Sequence, residues 1–301
     1  MEGENNMILS FWQDKRLTRI CHMLTGAGYR VGIAGCTLPS GMPIEVMLYP
    51  DWRSMLGEAY AILLPLPAFR GSMIAFGEEA IAFSDFLSCL RPGTVLLGGM
   101  VPLEKIREAE AAGMYVYDYY SSEAVIQRNG ELTAEGAISI AMQELPVALD
   151  EARVGVVGCG RIGNALCRML KSMNSNVTAL ARREEALSSA KACGCRTALL
   201  GTDTLIGMMK GYDAVFTTVP ARIFSEEILK HSERLSDRRK TLFIDLSSSP
   251  GSFDPIAART HDLHLLWALS LPGKYAPDSA GAVLGKEILR LLYTHQSMKG
   301  E

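Results

Sequence analysis

Arg153-Val154-Gly155-Val156-Val157-Gly158-Cys159-Gly160-Arg161-Ile162-Gly163 is the stretch on which the reading of this chain turns. Its first half is apolar and β-branched, the composition of a strand buried on both faces. The strand runs into G-x-G-x-x-G, and residues 161–173 continue with helical periodicity. In that strand–turn–helix setting the three glycines have separate duties. Gly158 permits the tight turn, Gly160 lets the backbone approach a pyrophosphate, and Gly163 lets the helix lie close to the sheet. The phosphates then meet the unpaired N–H groups and the dipole of the helix N-terminus. Gly158, Gly160, Arg161, Ile162 and Gly163 are therefore candidate cofactor-binding residues. The competing reading is a tight strand–helix turn with no ligand.

Downstream, the next strand, Asn176–Leu180, ends in Ala181-Arg182-Arg183. An NAD site usually places an acidic residue here for the ribose 2′-hydroxyl. Two guanidinium groups suit a 2′-phosphate instead. Arg182 and Arg183 thus favour NADP, with NAD the alternative; the plainer reading pairs them with Glu184 and Glu185 at a solvated helix start. Thr217-Thr218-Val219-Pro220 ends a further strand, where Thr218 and Pro220 are expected at the carboxyl edge of the sheet, over the nicotinamide. Asp245-Leu246-Ser247-Ser248-Ser249-Pro250-Gly251 ends the next. Asp245 is counted with the cofactor site, and the hydroxyls and N–H groups of Ser247 and Ser248 could hold a carboxylate. Capping and turn chemistry is the equal alternative.

The rest of the chain repeats the same alternation of short apolar runs and amphipathic stretches. Strands are expected at Met7–Phe11, Tyr29–Gly35, Tyr60–Leu64, Val95–Gly98 and Met114–Asp118, and later at Ala214–Thr218, Leu242–Asp245 and His264–Ala268. The fold class is α/β, with two Rossmann-like, doubly wound parallel-sheet domains, the second dinucleotide-binding. The expected domains are 1–132, for substrate or partner, and 133–301. Thr133 is expected to cap a connector helix over 137–149. The last helix, near Ala280–Thr294, could pack back on the first domain, or offer an apolar stripe to a second copy in a homodimer.

A chain of 301 residues accommodates two such domains. Its net charge of −3 argues against a nucleic-acid partner and against a basic membrane-binding face. The start, Met1-Glu2-Gly3-Glu4-Asn5-Asn6, is not a secretory leader, and no apolar run approaches a membrane span, so a cytoplasmic location is expected. The 7 cysteines do not form a disulfide framework. Cys193-Gly194-Cys195 reads as a turn before a strand, and His261 with His264 makes too poor a ligand set for a metal.

The succession resembles the family of the dipicolinate synthase A subunit of spore-forming bacteria. The likeness is carried by Thr133-Ala134-Glu135-Gly136, by Gly158–Gly163, by Ile244-Asp245-Leu246 with Pro250-Gly251, and above all by Leu271-Pro272-Gly273-Lys274-Tyr275-Ala276-Pro277-Asp278-Ser279-Ala280-Gly281. In the first half the turn Phe11-Trp12-Gln13-Asp14-Lys15-Arg16 keeps the family's Asp14 and Arg16 but not its glycines. The bulky Trp12 argues against a second dinucleotide there.

The resemblance implies oxidation of a dihydrodipicolinate-type precursor, in the lysine branch, to aromatic pyridine-2,6-dicarboxylate. It also implies a partner, the dipicolinate synthase B subunit, with a place in the mother-cell cytoplasm during sporulation. Aromatisation helps drive hydride transfer, leaving positioning and the removal of one ring proton to the protein. Arg16 is then the cation for a substrate carboxylate, Ser247 and Ser248 are donors, and Glu135 is the carboxylate to test as base, or else a hinge or capping carboxylate. Arg70, Arg222 and Lys274 lie in expected rim loops without matching a family motif. Two rivals stand beside this reading. A 2-hydroxyacid-dehydrogenase-like enzyme shares the layout, but no histidine occurs between residues 265 and 294, where that group carries its catalytic one. A non-catalytic nucleotide-binding subunit would leave the chemistry to the partner.

Overall fold

The computed structural model describes residues 6–35, 37–76, 79–232 and 240–299. The chain divides into two compact units: Met1–Arg128 together with Ala276–Glu301, and Asn129–Tyr275.

In the first unit the order is β1 (Met7–Ser10), α1 (Arg16–Gly26), β2 (Arg30–Ala34), β3 (Met47–Tyr49), α2 (Trp52–Met55) and β4 (Ala61–Leu63). There follow β5 (Phe69–Arg70), β6 (Met73–Phe76), β7 (Glu79–Ala82), α3 (Phe83–Ser88), β8 (Val95–Gly98), α4 (Leu103–Ala111) and β9 (Tyr115–Asp118). The main sheet is parallel throughout, in the order β3-β2-β1-β4-β8-β9, and β5-β6-β7 form a small antiparallel sheet. A long helix, α5 (Glu123–Glu144), carries the chain from the first unit into the second.

The second unit continues with β10 (Arg153–Val157), α6 (Arg161–Ser172), β11 (Asn176–Ala181), α7 (Ser188–Ala192), β12 (Arg196–Leu199), α8 (Thr202–Lys210) and β13 (Ala214–Thr217). It ends with α9 (Glu226–Leu229), β14 (Leu242–Asp245), α10 (Pro255–Thr260), β15 (His264–Trp267) and α11 (Leu271–Tyr275). The final helix, α12 (Pro277–Lys299), belongs to the first unit. The second sheet is also parallel, in the order β12-β11-β10-β13-β14-β15. Both units thus share the doubly wound order in which direction reverses beside the first strand, the two-domain α/β architecture expected from the sequence. Strand residues such as Ile8, Leu9, Val154 and Val156 are fully buried because helices cover both faces.

Four boundaries differ from expectation. The connector helix spans 123–144, not 137–149, and Thr133 does not cap it: its hydroxyl donates to the Asn129 carbonyl one turn back, at 2.7 Å. The helix runs unbroken through Gly130 and Gly136, and the fit is tight at Gly136. A Cβ on Gly130 would lie 3.4 Å from the Arg161 Cβ, and one on Gly136 would lie 3.1 Å from the Leu271 Cβ. The helix stops just before Pro146, as a following proline dictates. The break between units falls at 128/129 instead of 132/133, and α12, counted in sequence with residues 133–301, packs back on the first unit as the sequence allowed. Gly281 and Gly285 let α12 lie against α1: a Cβ on Gly281 would come within 2.5 Å of the Arg16 carbonyl oxygen. Its apolar side, Leu284, Ile288 and Leu292, is consumed in that core, so the stripe offered for a homodimer is covered from within the unit. The short edge strands β3 and β12 and the β5-β6-β7 sheet carried too little periodicity to be read.

Candidate functional site

The glycine loop leaves β10 at Val157 and enters α6 at Arg161, so it lies at the carboxyl edge of the second sheet, where the strand order reverses between β10 and β13. Its glycines do different work. Gly158 sits at φ +100°, and a Cβ there would stand 2.3 Å from Thr218 Oγ1. A Cβ on Gly163 would collide with the Gly158 carbonyl oxygen. The fold itself therefore demands these two glycines. Gly160 is different: its φ of −84° suits any residue, and a Cβ there would meet nothing within 4 Å. Of the loop's three glycines this is the one the fold does not need, and it leaves open space beside the N-terminus of α6. Arg161 opens that helix on the exposed side, with Ile162 half-buried beside it.

Thr218 holds the loop from the neighbouring strand end. Its hydroxyl lies 3.1 Å from the Gly158 carbonyl oxygen and 3.3 Å from that of Val157. Pro220 is exposed on the same rim. The Thr217 hydroxyl and the Asn164 side-chain carbonyl are buried with no hydrogen-bond partner among the described residues. At the end of β11, Ala181 is buried where an acidic residue would face a ribose. Arg182 and Arg183 are exposed and make no ion pair among the described residues; Glu184 bonds Lys191 instead, at 2.8 Å. Both arginines stand solvated at the start of a short helical turn, but not paired with Glu184 or Glu185.

The loop after β14 is organised around a buried carboxylate. Asp245 is 2% exposed and accepts from Ser247 N at 3.0 Å, Ser247 Oγ at 2.6 Å and Ser252 N at 2.7 Å. Ser252 in turn donates its hydroxyl to the Val219 carbonyl at 2.8 Å, tying this loop to the one after β13. Asp245 and Ser247 thus spend their polar atoms on each other, and Ser248 is left exposed on the rim. Ser252 was not legible as a site residue, because a single serine outside a motif carries no signal. Glu135 lies exposed on α5, one residue from the Gly136 contact with α11. Arg222 is engaged with Asp254 at 2.7 Å, and His264 with Glu144 at 3.4 Å. No group of three or more metal-ligating side chains occurs among the described residues.

Arg16 lies in the other unit. Its guanidinium is 4.9 Å from the Trp12 ring centroid and makes paired bonds to Asp14, the shortest 2.5 Å. Burial pushes the Asp14 carboxyl up, but the bonded Arg16 guanidinium, with help from the Trp12 indole, brings it below the usual carboxylate range. Trp12 itself is 1% exposed and stacks on Tyr119 at 5.6 Å. That pair and Gln13, against which Gly35 packs, fill the turn after β1 that in the second unit stays open.

Residues 122–246 match the D-isomer specific 2-hydroxyacid dehydrogenase family, NAD binding domain. A curated relative, the A subunit of dipicolinate synthase from Bacillus subtilis (strain 168), is 28% identical over 245 residues, 80% of each chain. The chain is similar to the dipicolinate synthase A subunit. Two crystal structures bearing that name share its fold. The Bacillus halodurans protein gives a TM-score of 0.81 at 21% identity, covering 96% of this chain and 98% of the other. The Bacillus subtilis protein gives 0.79 at 24%, covering 98% of both. Together with the glycine loop, the family match and the curated relative support a dehydrogenase-like role with a nicotinamide dinucleotide cofactor. The curated relative is by name one subunit of a synthase, which implies that it works with a partner. No helix among the described residues is long and apolar enough to cross a membrane.

Proposed function

We propose that this chain is the dehydrogenase subunit of a dipicolinate-forming system, using NADP to oxidise a dihydrodipicolinate-type dicarboxylate to pyridine-2,6-dicarboxylate beside a second subunit. Gly160 carries the cofactor reading. Of the loop's three glycines it is the one for which the fold has no use, and it faces open space beside the N-terminus of α6. Arg182 and Arg183, without ion pairs among the described residues, favour a 2′-phosphate. The substrate class follows from the similarity to the dipicolinate synthase A subunit.

A bound nicotinamide supplies the hydride acceptor. The overall change removes one hydride and one proton from the ring, so dicarboxylate and NADP⁺ become aromatic product, NADPH and a proton. The chain's own part is to bind and orient. Backbone N–H groups of α6 hold phosphate, Thr218 fixes the loop, and Asp245 with Ser252 sets the shape of the rim on which Ser248 is exposed. Glu135 is the carboxylate assigned to accept the ring proton, and Arg16 is assigned to a substrate carboxylate.

A second reading has an observation in its favour: Ser247 and Arg16 are each bound to an internal carboxylate, as structural residues are. In that case the chain binds nucleotide and the partner performs the oxidation. One experiment separates the two. The purified chain is mixed with enzymatically generated dihydrodipicolinate and NADP⁺, with and without the B subunit, and dipicolinate and NADPH are followed together. Equal formation of both establishes the dehydrogenase. Dipicolinate appearing only with the partner present, and never with NADPH, moves the chemistry to that partner.

A further inference from the structure

Trp267 ends β15 at the carboxyl edge of the second sheet, two strands beyond β13 and in register with Asp245. In this strand order the nicotinamide half of a dinucleotide lies toward β13–β15, the adenine half toward β10–β12. The side chain is 43% exposed. An exposed large apolar residue alone is unremarkable on a protein surface. Here, however, two features hold the indole in one place. Its Nε1–H donates to the Ser247 carbonyl oxygen at 2.8 Å, so the polar edge is turned inward. Gly251, at φ +85°, lies flat against it, and a Cβ there would stand 3.4 Å from the indole Cζ2 and 3.2 Å from Asp245 Oδ2. The indole stacks on no other ring among the described residues.

The same loop that clamps the indole presents the exposed Ser248. A rigid apolar plane next to a polar rim complements a planar ring that carries carboxylates. We propose that Trp267 is a specificity-determining platform on which the reacting ring lies as it flattens into the aromatic product, at the nicotinamide side of this edge. The inference rests on the dehydrogenase reading above and deepens it. The platform selects for flatness, so it holds an aromatic dicarboxylate better than a saturated one of the same charge.

The chain suits a direct test, because its other two tryptophans, Trp12 and Trp52, are 1% and 5% exposed. Iodide therefore quenches mainly Trp267. With the full chain saturated in NADP⁺, pyridine-2,6-dicarboxylate is expected to shield this emission, and saturated piperidine-2,6-dicarboxylate to shield it far less. In calorimetric titrations Trp267→Ala is expected to weaken pyridine-2,6-dicarboxylate about tenfold, the scale of one lost aromatic stack. Trp267→Phe, which keeps a ring but loses the Nε1–H, should recover most of the affinity. Both variants should bind NADP⁺ within about twofold of wild type. Wild-type affinity for the aromatic dicarboxylate in Trp267→Ala overturns the platform and leaves the dehydrogenase reading standing. Equal loss in the Phe and Ala variants also overturns it, since the residue then acts through its hydrogen bond. Failure of the wild-type chain to bind either dicarboxylate overturns both.

Discussion

Replacing Gly160 by alanine is expected to raise stability and lower cofactor affinity at once. The backbone at Gly160 has φ −84° and ψ −160°, which alanine adopts without strain, and its Cβ would touch nothing within 4 Å. An alanine there restricts the unfolded chain, a gain of roughly 0.4–1 kcal/mol, or about 1–3 °C in melting temperature for a unit of this size. The same methyl occupies the space through which a pyrophosphate reaches the N–H groups of α6. A tenfold or greater weakening of NADP⁺, about 1.4 kcal/mol, is the expected result. Gly163→Ala makes the contrast. Its Cβ would overlap the Gly158 carbonyl oxygen, and neither is the movable end of a side chain. Overpacking alone costs roughly 1–3 kcal/mol, and a clash with backbone belongs at or above the top of that range. Thermal unfolding and calorimetric titration of the two variants provide the assay. Gly160→Ala binding NADP⁺ within twofold of wild type would refute the placement of the pyrophosphate. An unchanged melting temperature in Gly163→Ala would refute the close helix–sheet contact.

Arg182→Ala is expected to weaken NADP⁺ by about tenfold, one charge-assisted phosphate contact, while leaving NAD⁺ nearly unchanged; equal loss for both would remove the 2′-phosphate assignment. Ser247→Ala deletes a buried donor to Asp245 and is expected to cost about 1–3 kcal/mol in urea unfolding, an effect absent if the serine served only a ligand. Asp14, held below its ordinary pKa of 3.8, stabilises the fold fully above about pH 4, and that contribution disappears as the pH falls through the lower folded value. The stability difference between wild type and Asp14→Asn should therefore be constant above about pH 4 and shrink below it, and a difference that grows on acidification would contradict the ion pair.

Residues 153–163 alone determined that the second half is a dinucleotide-type βαβ unit, because strand, turn and helix signals are local and each glycine's duty follows from its offset. The same locality made β10, β11, β13 and β14 readable, and Arg182 and Arg183 identifiable as a charge at the end of β11. Local signals failed in α5, which starts at Glu123 instead of residue 137 and runs on through Gly130 and Gly136. For α12 the sequence offered packing on the first domain as one of two placements, and contact with α1, more than 250 residues earlier, decided between them. In the site itself, sequence could nominate Asp245, Ser247 and Ser248 as one polar run, but not divide their work. Only packing turned Asp245 and Ser247 inward, left Ser248 on the rim and held Trp267 beside it. A hydroxyl's role depends on which partner is within reach, and distance across strands is a property of the folded chain.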